Sequence, residues 1–342
     1  MHTWSRAPNL LTSPSHRVGL TVVAHIDWSI RPVKRQCCIA IKTDGSWLVE
    51  MPKPVHVIGH SATIAQTISE RAGRGFALLG VDAALGLPSA WGERAGITHF
   101  RRFLVETLRE PMWRDFWDPA EDPTQISLYR PFYPRRPGGT KQQHLVTALG
   151  LASAEDLRRQ CDRRRAGAPT PCPIFWTMGA NQVGKATLSA WREMVIPALS
   201  APNFDVRIWP FDGGFYECTR GDVGLAEVYP GEVTQWLGLQ LRGGGGKRSQ
   251  RARSQQAHLL WDALAQVEAR PDAELAHAID HGFGHAAAGE DAFDAFIGVL
   301  GGLLCCGAQR TVWQPEVEPL DTLEGWVLGR EPPDAVGGPT SR

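Results

Sequence analysis

Residues 76–88 read FALLGVDAALGLP. The first six residues form a nearly unbroken apolar run, which is typical of a strand buried on both faces of a sheet. The run ends at Asp82, and Gly86 and Pro88 then break regular structure. A carboxylate at the carboxyl end of a buried strand lies where open α/β sheets bind their ligands, although a single Asp can equally cap the next turn. Asp82 is therefore the first candidate functional residue.

The chain before this stretch has the pattern of three strands followed by a helix. These segments are residues 18–27, 37–42, 46–51 and 61–73. The first strand ends at Asp27, and an Asp44-Gly45 pair predicts a hairpin turn between the second and third. A meander of three strands, a helix and then a buried strand is the order of an RNase H-like sheet, in which the first and fourth strands are adjacent. We therefore expect Asp27 and Asp82 to be neighbours.

Residues 89–175 form a predicted insertion after the fourth strand. It has helical patterns at about 98–110 and 153–165 around a loop rich in proline, aromatic and basic residues. The large apolar and aromatic residues of this loop are Met112, Trp113, Phe116, Trp117, Tyr129, Phe132 and Tyr133. Two interpretations stay open: a surface that stacks bases and tracks phosphates, or a satellite core beside a solvated helix face. The first would use the basic run Arg163, Arg164 and Arg165 to bind substrate.

Residues 174–191, IFWTMGANQVGKATLSAW, have the outline of a phosphate-binding loop. Two glycines and Lys185 match the spacing G-x-x-x-x-G-K, but Ala186 stands where a P-loop needs a hydroxyl group for magnesium. A nucleotide-binding ATPase that uses the glycine-rich loop 179–187 is therefore the less favoured alternative. We expect a helix start near the site, at which Lys185 and Asn181 face a phosphate and bind substrate.

The following segments predict two more strands, at 206–209 and 222–230, and a helix at about 231–240. Glu227 lies near the end of the second of these strands. Four glycines followed by basic residues predict a flexible basic loop at about 241–255.

The last predicted helix spans residues 289–306. Its apolar stripe lies opposite a face formed by Asp291, Ala295, Gly298 and Gly302. Glycine inside a helix costs roughly 1 kcal/mol relative to alanine, so this face indicates close approach to another element. If that element is the sheet, Asp291 reaches the strand ends, and Asp294 lies about 60° away around the helix. Ordinary capping of the helix start is the alternative explanation of these acids.

Four acids thus converge from segments spread over the whole chain: Asp27, Asp82, Glu227 and Asp291. Like charges raise one another's pKa unless a cation is present. Carboxylate oxygens are the preferred ligands of Mg²⁺ and Mn²⁺, and two such ions can activate a water and stabilise the leaving oxygen of a phosphodiester. We therefore predict that these four residues are catalytic and bind Mg²⁺ or Mn²⁺, with Asp294 as a further metal ligand.

An ordered set of motifs resembles the domain-of-unknown-function family 429. The motifs are HIDWS at 25–29, LLGVDAALGLP at 78–88, WTMGANQVGKA at 176–186, AEVYP at 226–230, GEDAFDAF at 289–296 and EGWVLG at 324–329. The resemblance covers most of residues 18–330. That family is regarded as predicted RNase H-like nucleases, and the resemblance implies that the four acids fall at the acidic positions of such enzymes. It also implies that the pair Asp291 and Asp294 is similar to that of the resolvase branch.

Composition bounds the remaining expectations. The 342 residues carry no net formal charge, and an odd count of seven cysteines without a CxxC spacing argues against a disulfide framework or zinc site. The first seventeen residues lack the apolar core of a signal peptide, and no run reaches the roughly 18 apolar residues of a membrane span. We expect a cytoplasmic protein without a membrane partner.

The predicted organisation is a single RNase H-like α/β domain over residues 18–330, a mixed sheet flanked by helices, with disordered ends at 1–17 and 331–342. The favoured function is a metal-dependent nuclease that acts on nucleic acid. A non-catalytic RNase H-like module that binds nucleic acid is the main alternative.

Overall fold

Eight strands form one mixed sheet in the computed structural model, which describes residues 19–164, 171–178, 183–241, 246–285 and 287–332. The strands are β1 Leu20–Asp27, β2 Gln36–Thr43, β3 Ser46–Val49, β4 Lys53–Pro54, β5 Phe76–Val81, β6 Val206–Ile208, β7 Val223–Glu227 and β8 Ala269–Pro271. Their order across the sheet is β6-β7-β5-β1-β2-β3-β8, and β4 pairs with β2. The protein therefore has a mixed α/β fold.

Strand β1 lies at the centre of the sheet. It pairs antiparallel with β2 and parallel with β5, so the adjacency expected for segments 18–27 and 76–81 is confirmed. Strands β7 and β6 continue the parallel half, while β3 pairs antiparallel with β2. The short strands β4 and β8 were not expected, because two or three residues carry too little periodicity to predict a strand.

Helices cover both faces of the sheet. They are α1 Val55–Ile58, α2 Ile64–Ala72, α3 Ser89–Ala95, α4 Phe100–Val105, α5 Gln142–Leu149, α6 Val183–Ala190, α7 Ile196–Ser200, α8 Phe215–Cys218, α9 Pro230–Trp236, α10 Gln250–Gln255, α11 Ala257–Gln266, α12 Ala273–His281 and α13 Ala287–Cys306. A π-helical turn, Trp191–Val195, joins α6 to α7. Within the described ranges, no helix is long and apolar enough to cross a membrane.

The aromatic residues of segment 89–175 belong to the hydrophobic core. Trp113, Phe116, Phe132 and Tyr133 are all at most 2% exposed and pack in the same cluster as the apolar side chains of β1 and β5. Their rings contact one another edge to face, for example Trp113 and Phe116 at 5.9 Å. The interpretation as a base-stacking surface is therefore wrong for these four residues, because their faces are not accessible to a base. Of the other three, Met112 is exposed and Trp117 and Tyr129 are partly exposed.

Two predicted segments have a different local structure from the one expected. The helix expected at 153–165 is two 3-10 turns, Ala154–Leu157 and Gln160–Asp162, because the backbone is extended at Arg158 and Arg159. In the predicted flexible loop 241–255, residues 250–255 form α10, whose first turn is capped by the Ser249 side chain. Residues 1–18 and 333–342, which contain nearly all of the predicted disordered ends, lie outside the described residues.

The glycine face of α13 lies directly on the sheet, as its sequence predicts. A Cβ atom at Gly298 would lie 2.1 Å from the His25 ring, and one at Gly302 would lie 2.8 Å from Val23. Both partners are on β1, two and four residues before Asp27. The absence of side chains at these two positions therefore allows α13 to approach β1 closely enough to bring its first turns to the end of that strand.

We expect Gly298→Ala to destabilise the protein by about 1–3 kcal/mol, because overpacking against His25 outweighs the gain in helix propensity of roughly 1 kcal/mol. Urea denaturation of the native protein and the variant measures this difference. The control is His25→Ala, alone and combined with Gly298→Ala. The double variant should be more stable than the sum of the two single effects predicts, since the clash is gone. Simple additivity would show that the ring does not limit the approach of α13.

Candidate functional site

Asp27 and Asp82 end two neighbouring parallel strands. Ile26 of β1 pairs with Val81 of β5, so the next residue of each strand is an aspartate. The Asp82 amide donates a hydrogen bond to the Ile26 carbonyl at 3.0 Å. Because neighbouring strands lie about 4.8 Å apart, the two partly exposed carboxylates stand side by side at the carboxyl edge of the sheet. This register confirms the expected adjacency of Asp27 and Asp82.

Helix α13 contributes a third carboxylate, that of Asp294. This residue lies one turn before Gly298 and is buried. Its Oδ2 accepts a hydrogen bond from the Lys247 ammonium, while its buried Oδ1 has no hydrogen-bond partner among the described residues. Buried carboxylate oxygens are normally paired, so the unpaired oxygen of Asp294 lacks a hydrogen-bonding or cationic partner.

The charges of these acids act on one another. Burial, followed by the charges of Asp294 and Asp82, raises the pKa of Asp27 well above its ordinary value. Burial and then Asp294 raise the pKa of Asp82 to about 7. Burial also raises the pKa of Asp294, although Lys247 opposes that rise. Among the described residues no donor forms a hydrogen bond to the carboxylate of Asp27 or Asp82. The cluster of Asp27, Asp82 and Asp294, hereafter the acidic cluster, is thus under-neutralised.

Asp291 lies at the rim of the acidic cluster. It is partly exposed, and its Oδ2 is 4.0 Å from the Lys34 ammonium. Burial raises the pKa of its carboxyl, while Lys34 opposes the rise. Its charge also contributes to the raised pKa of Asp27. Asp291 is therefore close enough to join the site, but Asp294 occupies the more central position on α13.

Glu227 lies at the same end of the sheet but on its other face. It pairs in register with Val81, whereas Asp82 follows one residue later and side chains alternate between faces. Both Glu227 oxygens accept hydrogen bonds from the buried Arg159 guanidinium, at 2.7 and 2.8 Å. Its carboxylate is thus already paired, and this geometry favours Asp294 over Glu227 as the third ligand. The charge of Glu227 still contributes to the raised pKa of Asp82.

The loop after Asp82 is fixed by side chains from three elements. The Leu85 amide donates to Glu227 at 2.8 Å, and the Ala84 amide donates to the Thr187 hydroxyl at 3.2 Å. The Trp191 indole donates to the Ala84 carbonyl at 2.8 Å. The segment expected to form a glycine-rich helix start near the site thus supports the position of Asp82. In this arrangement the buried Thr187 hydroxyl is bound to the backbone.

Of the predicted substrate-binding residues, Lys185, Arg163 and Arg164 are described, and none of the three contacts a carboxylate of the acidic cluster. Lys185 donates to the Arg135 carbonyl at 3.4 Å, and no described acid of the cluster pairs with it. Arg163 and Arg164 are exposed and form no ion pair with another described residue. Asn181 and Arg165 lie outside the described residues. The roles of all five residues stay predictions.

Sequence reasoning missed two residues beside the acidic cluster. Lys247 follows the last of four glycines, and the sequence predicts only a flexible basic loop there. Tyr229 follows β7 by two residues, and burial together with the charge of Asp82 raises the pKa of its hydroxyl to about 12. The alternation along β7 groups Tyr229 with Glu227, so it gave no indication that Tyr229 lies beside Asp82. The position of Lys247 depends on a tertiary contact for which the sequence carries no signal.

The donor chemistry of the acidic cluster fits Mg²⁺ or Mn²⁺, because it consists of carboxylates with one unpaired buried oxygen. Over the described residues, no group of three or more His, Cys, Asp or Glu side chains is arranged so that it could hold a metal ion. The acids are therefore suitable ligands by type and location, but they are not preassembled around an ion. Comparison with protein-family models, curated proteins and solved structures finds no match.

We expect Asp82→Asn to stabilise the metal-free protein near neutral pH. The pKa of Asp82 is about 7 in the folded protein, against about 3.9 in an unfolded chain. The native state therefore binds this proton more tightly, and its stability falls as the pH rises from about 4 to about 7. After burial, the charges that act on the pKa of Asp82 are those of Asp294 and Glu227, which raise it, and of Lys247, which lowers it. Asn retains the shape without the charge, so the variant's advantage should grow over this interval to about 1–3 kcal/mol.

Urea denaturation in EDTA at several pH values measures this difference. Asp262→Asn on the exposed face of α11 is the matched control and should show no such trend. If Asp82 instead capped a turn, its replacement would lower the free energy of unfolding by about 0.5–2 kcal/mol at neutral pH. A loss of that kind in Asp82→Asn would contradict the picture of mutual repulsion.

Proposed function

We propose that the protein is a metal-dependent nuclease of the RNase H-like class, which hydrolyses phosphodiester bonds of nucleic acid at the acidic cluster. The observation that carries this proposal is the convergence of Asp27, Asp82 and Asp294 without enough positive charge to neutralise them. Structural carboxylates are normally paired when they are buried. A deficit of positive charge at the edge of a sheet is expected where a cation binds as part of the function.

The sheet supports the same class. The antiparallel strands β3, β2 and β1 are followed by the parallel strands β5 and β7, which is the order of RNase H-like sheets. The acidic cluster lies at the carboxyl ends of the central parallel strands β1 and β5, where such sheets place ligands. Support from topology is an analogy at the level of the fold, and the function rests on the site itself.

Asp27, Asp82 and Asp294 would hold Mg²⁺ or Mn²⁺, with Asp291 at the rim. When bound, a divalent ion supplies a hydroxide from water at neutral pH and stabilises charge on the transferred phosphate. The chain's own residues prepare this site by position and charge. The β1–β5 register sets Asp27 beside Asp82, and the paired Glu227 holds the Leu85 amide and so fixes the loop after Asp82.

Exposed cations near the carboxyl edge of the sheet suit an anionic substrate. Lys34 lies at the rim beside Asp291, and Arg163 and Arg164 follow the turn that contains Arg159. Because Arg159 is bound to Glu227, this basic run lies near the edge that carries the acids. A polyanion that approaches the acidic cluster would meet positive charge at its margin, which reduces the repulsion between carboxylates and phosphates.

We expect Mn²⁺ at roughly a hundred times its dissociation constant to stabilise the native protein by about 2.7 kcal/mol. Asp82→Asn and Asp294→Asn should gain much less, because each lacks one ligand. Asp262→Asn should gain as much as the native protein. Thermal melting of the four proteins in EDTA and in Mn²⁺ makes this comparison. Equal gains in all four would show that the ion binds elsewhere.

Activity is tested on a panel of labelled DNA and RNA, single- and double-stranded, with Mn²⁺. We expect cleavage by the native protein and by Asp262→Asn, and a loss of about a hundredfold or more in Asp82→Asn and Asp294→Asn, because a metal ligand contributes several kcal/mol to the transition state. Binding of the same nucleic acids without metal-dependent cleavage would instead favour a non-catalytic binding module.

A further inference from the structure

We propose that Lys247 holds the place of a cation in the metal-free site, and that a divalent ion binds by displacing its ammonium group from Asp294 toward Glu290. This inference rests on the proposed function and adds a regulatory element to the same site. It concerns a residue from the loop between α9 and α10, which the strand-end acids alone do not indicate.

The Lys247 ammonium contacts the most buried acid of the cluster. It donates a hydrogen bond to Asp294 Oδ2, and Glu290 Oε1 lies 3.8 Å away. Lys247 is also the cation that opposes the raised pKa at both Asp27 and Asp82, where burial and the neighbouring acids are the main causes of the rise. The charge of this one ammonium therefore stabilises three carboxylates.

The ion pair is incomplete in a way that differs from a structural salt bridge. Asp294 Oδ1 remains unpaired although it is buried, and among the described residues only Asp294 accepts a hydrogen bond from the ammonium. The Lys247 side chain is 43% exposed, so the ammonium has a path to solvent. The single charge of Lys247 leaves two of the acids without a hydrogen-bonded partner. A divalent ion carries twice that charge and would neutralise the three carboxylates more fully.

Glu290 offers the ammonium a second position. It lies one turn before Asp294 on α13, so the two carboxylates share a face of the helix. Its other neighbour is Arg248, at 3.7 Å. Because the ammonium already lies between Asp294 and Glu290, a small rotation of the side chain transfers it from the cluster to the rim without leaving it unpaired.

The backbone at Lys247 is held in place. The guanidinium of Arg253, which is fully buried, donates to the Lys247 carbonyl and to the carbonyls of Gly282 and Gly284, at 2.9 and 2.7 Å for the latter two. The exchange therefore requires a change of side-chain rotamer, and the turn Gly246–Arg248 stays where it is. Rotamer changes of exposed side chains are fast and involve small energies.

The experiment on the native protein follows the chemical reactivity of Lys247. Brief treatment with N-hydroxysuccinimidyl acetate and peptide mass spectrometry report how fast each lysine is acylated. Mn²⁺ should accelerate acylation of Lys247, because the ammonium leaves Asp294, while the exposed Lys53 and Lys141 serve as internal controls. In Asp82→Asn, which lacks a ligand, the same Mn²⁺ concentration should leave Lys247 unchanged.

Variants test the competition independently. Lys247→Gln should bind Mn²⁺ at least about tenfold more tightly than the native protein, because a competing charge is removed at close range. Lys247→Arg retains the charge and should stay close to the native affinity. Glu290→Gln should weaken Mn²⁺ binding in the native background and have a much smaller effect in the Lys247→Gln background, since its role is to receive the ammonium.

The outcomes separate this inference from the function on which it rests. Mn²⁺ binding that depends on Asp82, with no change in Lys247 reactivity and native affinity in Lys247→Gln, overturns the inference alone. Absence of Mn²⁺ binding in both the native protein and Lys247→Gln overturns the proposed function and this inference with it. Faster acylation together with tighter binding in Lys247→Gln supports both.

Discussion

The close approach of α13 to β1 is the constraint on which the site depends. At Gly298 the helix backbone lies so near the His25 ring that no Cβ fits between them, and Gly302 meets Val23 in a similar way. Any larger residue would hold the helix away from the sheet and would withdraw Asp294 from the strand ends. The two glycines lower the intrinsic stability of α13. In return, they allow the close packing that brings Asp294 beside Asp27 and Asp82. Packing and electrostatics are therefore coupled through two small residues.

The same approach forces like charges together. Asp27 and Asp82 are set side by side by strand register, and α13 adds Asp294 above them. Burial and then the charge of Asp294 raise the pKa of Asp27 and Asp82, and burial raises the pKa of Asp294. Such repulsion lowers the free energy of unfolding of the metal-free protein. Functional sites are commonly less stable than the rest of a fold in this way, because the groups that they need are not the most stable choice. Lys247 reduces the repulsion but does not remove it. The cluster is thus in a state that a further cation would relieve.

The sequence predicts the features that follow from local pattern. The apolar runs before Asp27 and Asp82 identify two buried strands, and the glycine face of α13 indicates its contact with the sheet. The direction of Glu227 was not predictable in the same way, because it depends on the register between β5 and β7, which places it beside Val81 and therefore on the opposite face.

Tertiary contacts explain the remaining differences. Lys247 reaches Asp294 because Arg253 holds its backbone against the loop after α12, and no local pattern encodes that arrangement. Segment 153–165 has apolar and charged spacing that suits a helix, yet Arg159 turns inward to pair with Glu227 and Asp162, which interrupts the helix. In both cases a buried arginine fixes the local backbone through contacts with residues distant in sequence. These contacts outweigh the local helix propensity.

Three buried glutamates near the sheet are fully paired, in contrast to the acidic cluster. Glu227 is paired with Arg159, and Glu232 is paired with Arg330 at 2.7 Å. The fully buried Glu324 accepts hydrogen bonds from the backbone amides of Ser89 and Gln160, at 3.1 and 2.6 Å. Each of these carboxylates has the partners that burial requires.

The carboxyl edge of the sheet therefore has two faces with opposite electrostatic character. On one face, arginine neutralises Glu227 and the resulting network holds the insertion and the loop after Asp82. On the other, and among the residues that the structure describes, three aspartates share a single lysine, and one buried oxygen has no hydrogen-bond partner. A fold that supplies full pairing a few ångströms away has the means to pair these acids as well. Their incomplete pairing supports the proposal that a cation completes the site, with the neutralised face serving as the rigid support behind it.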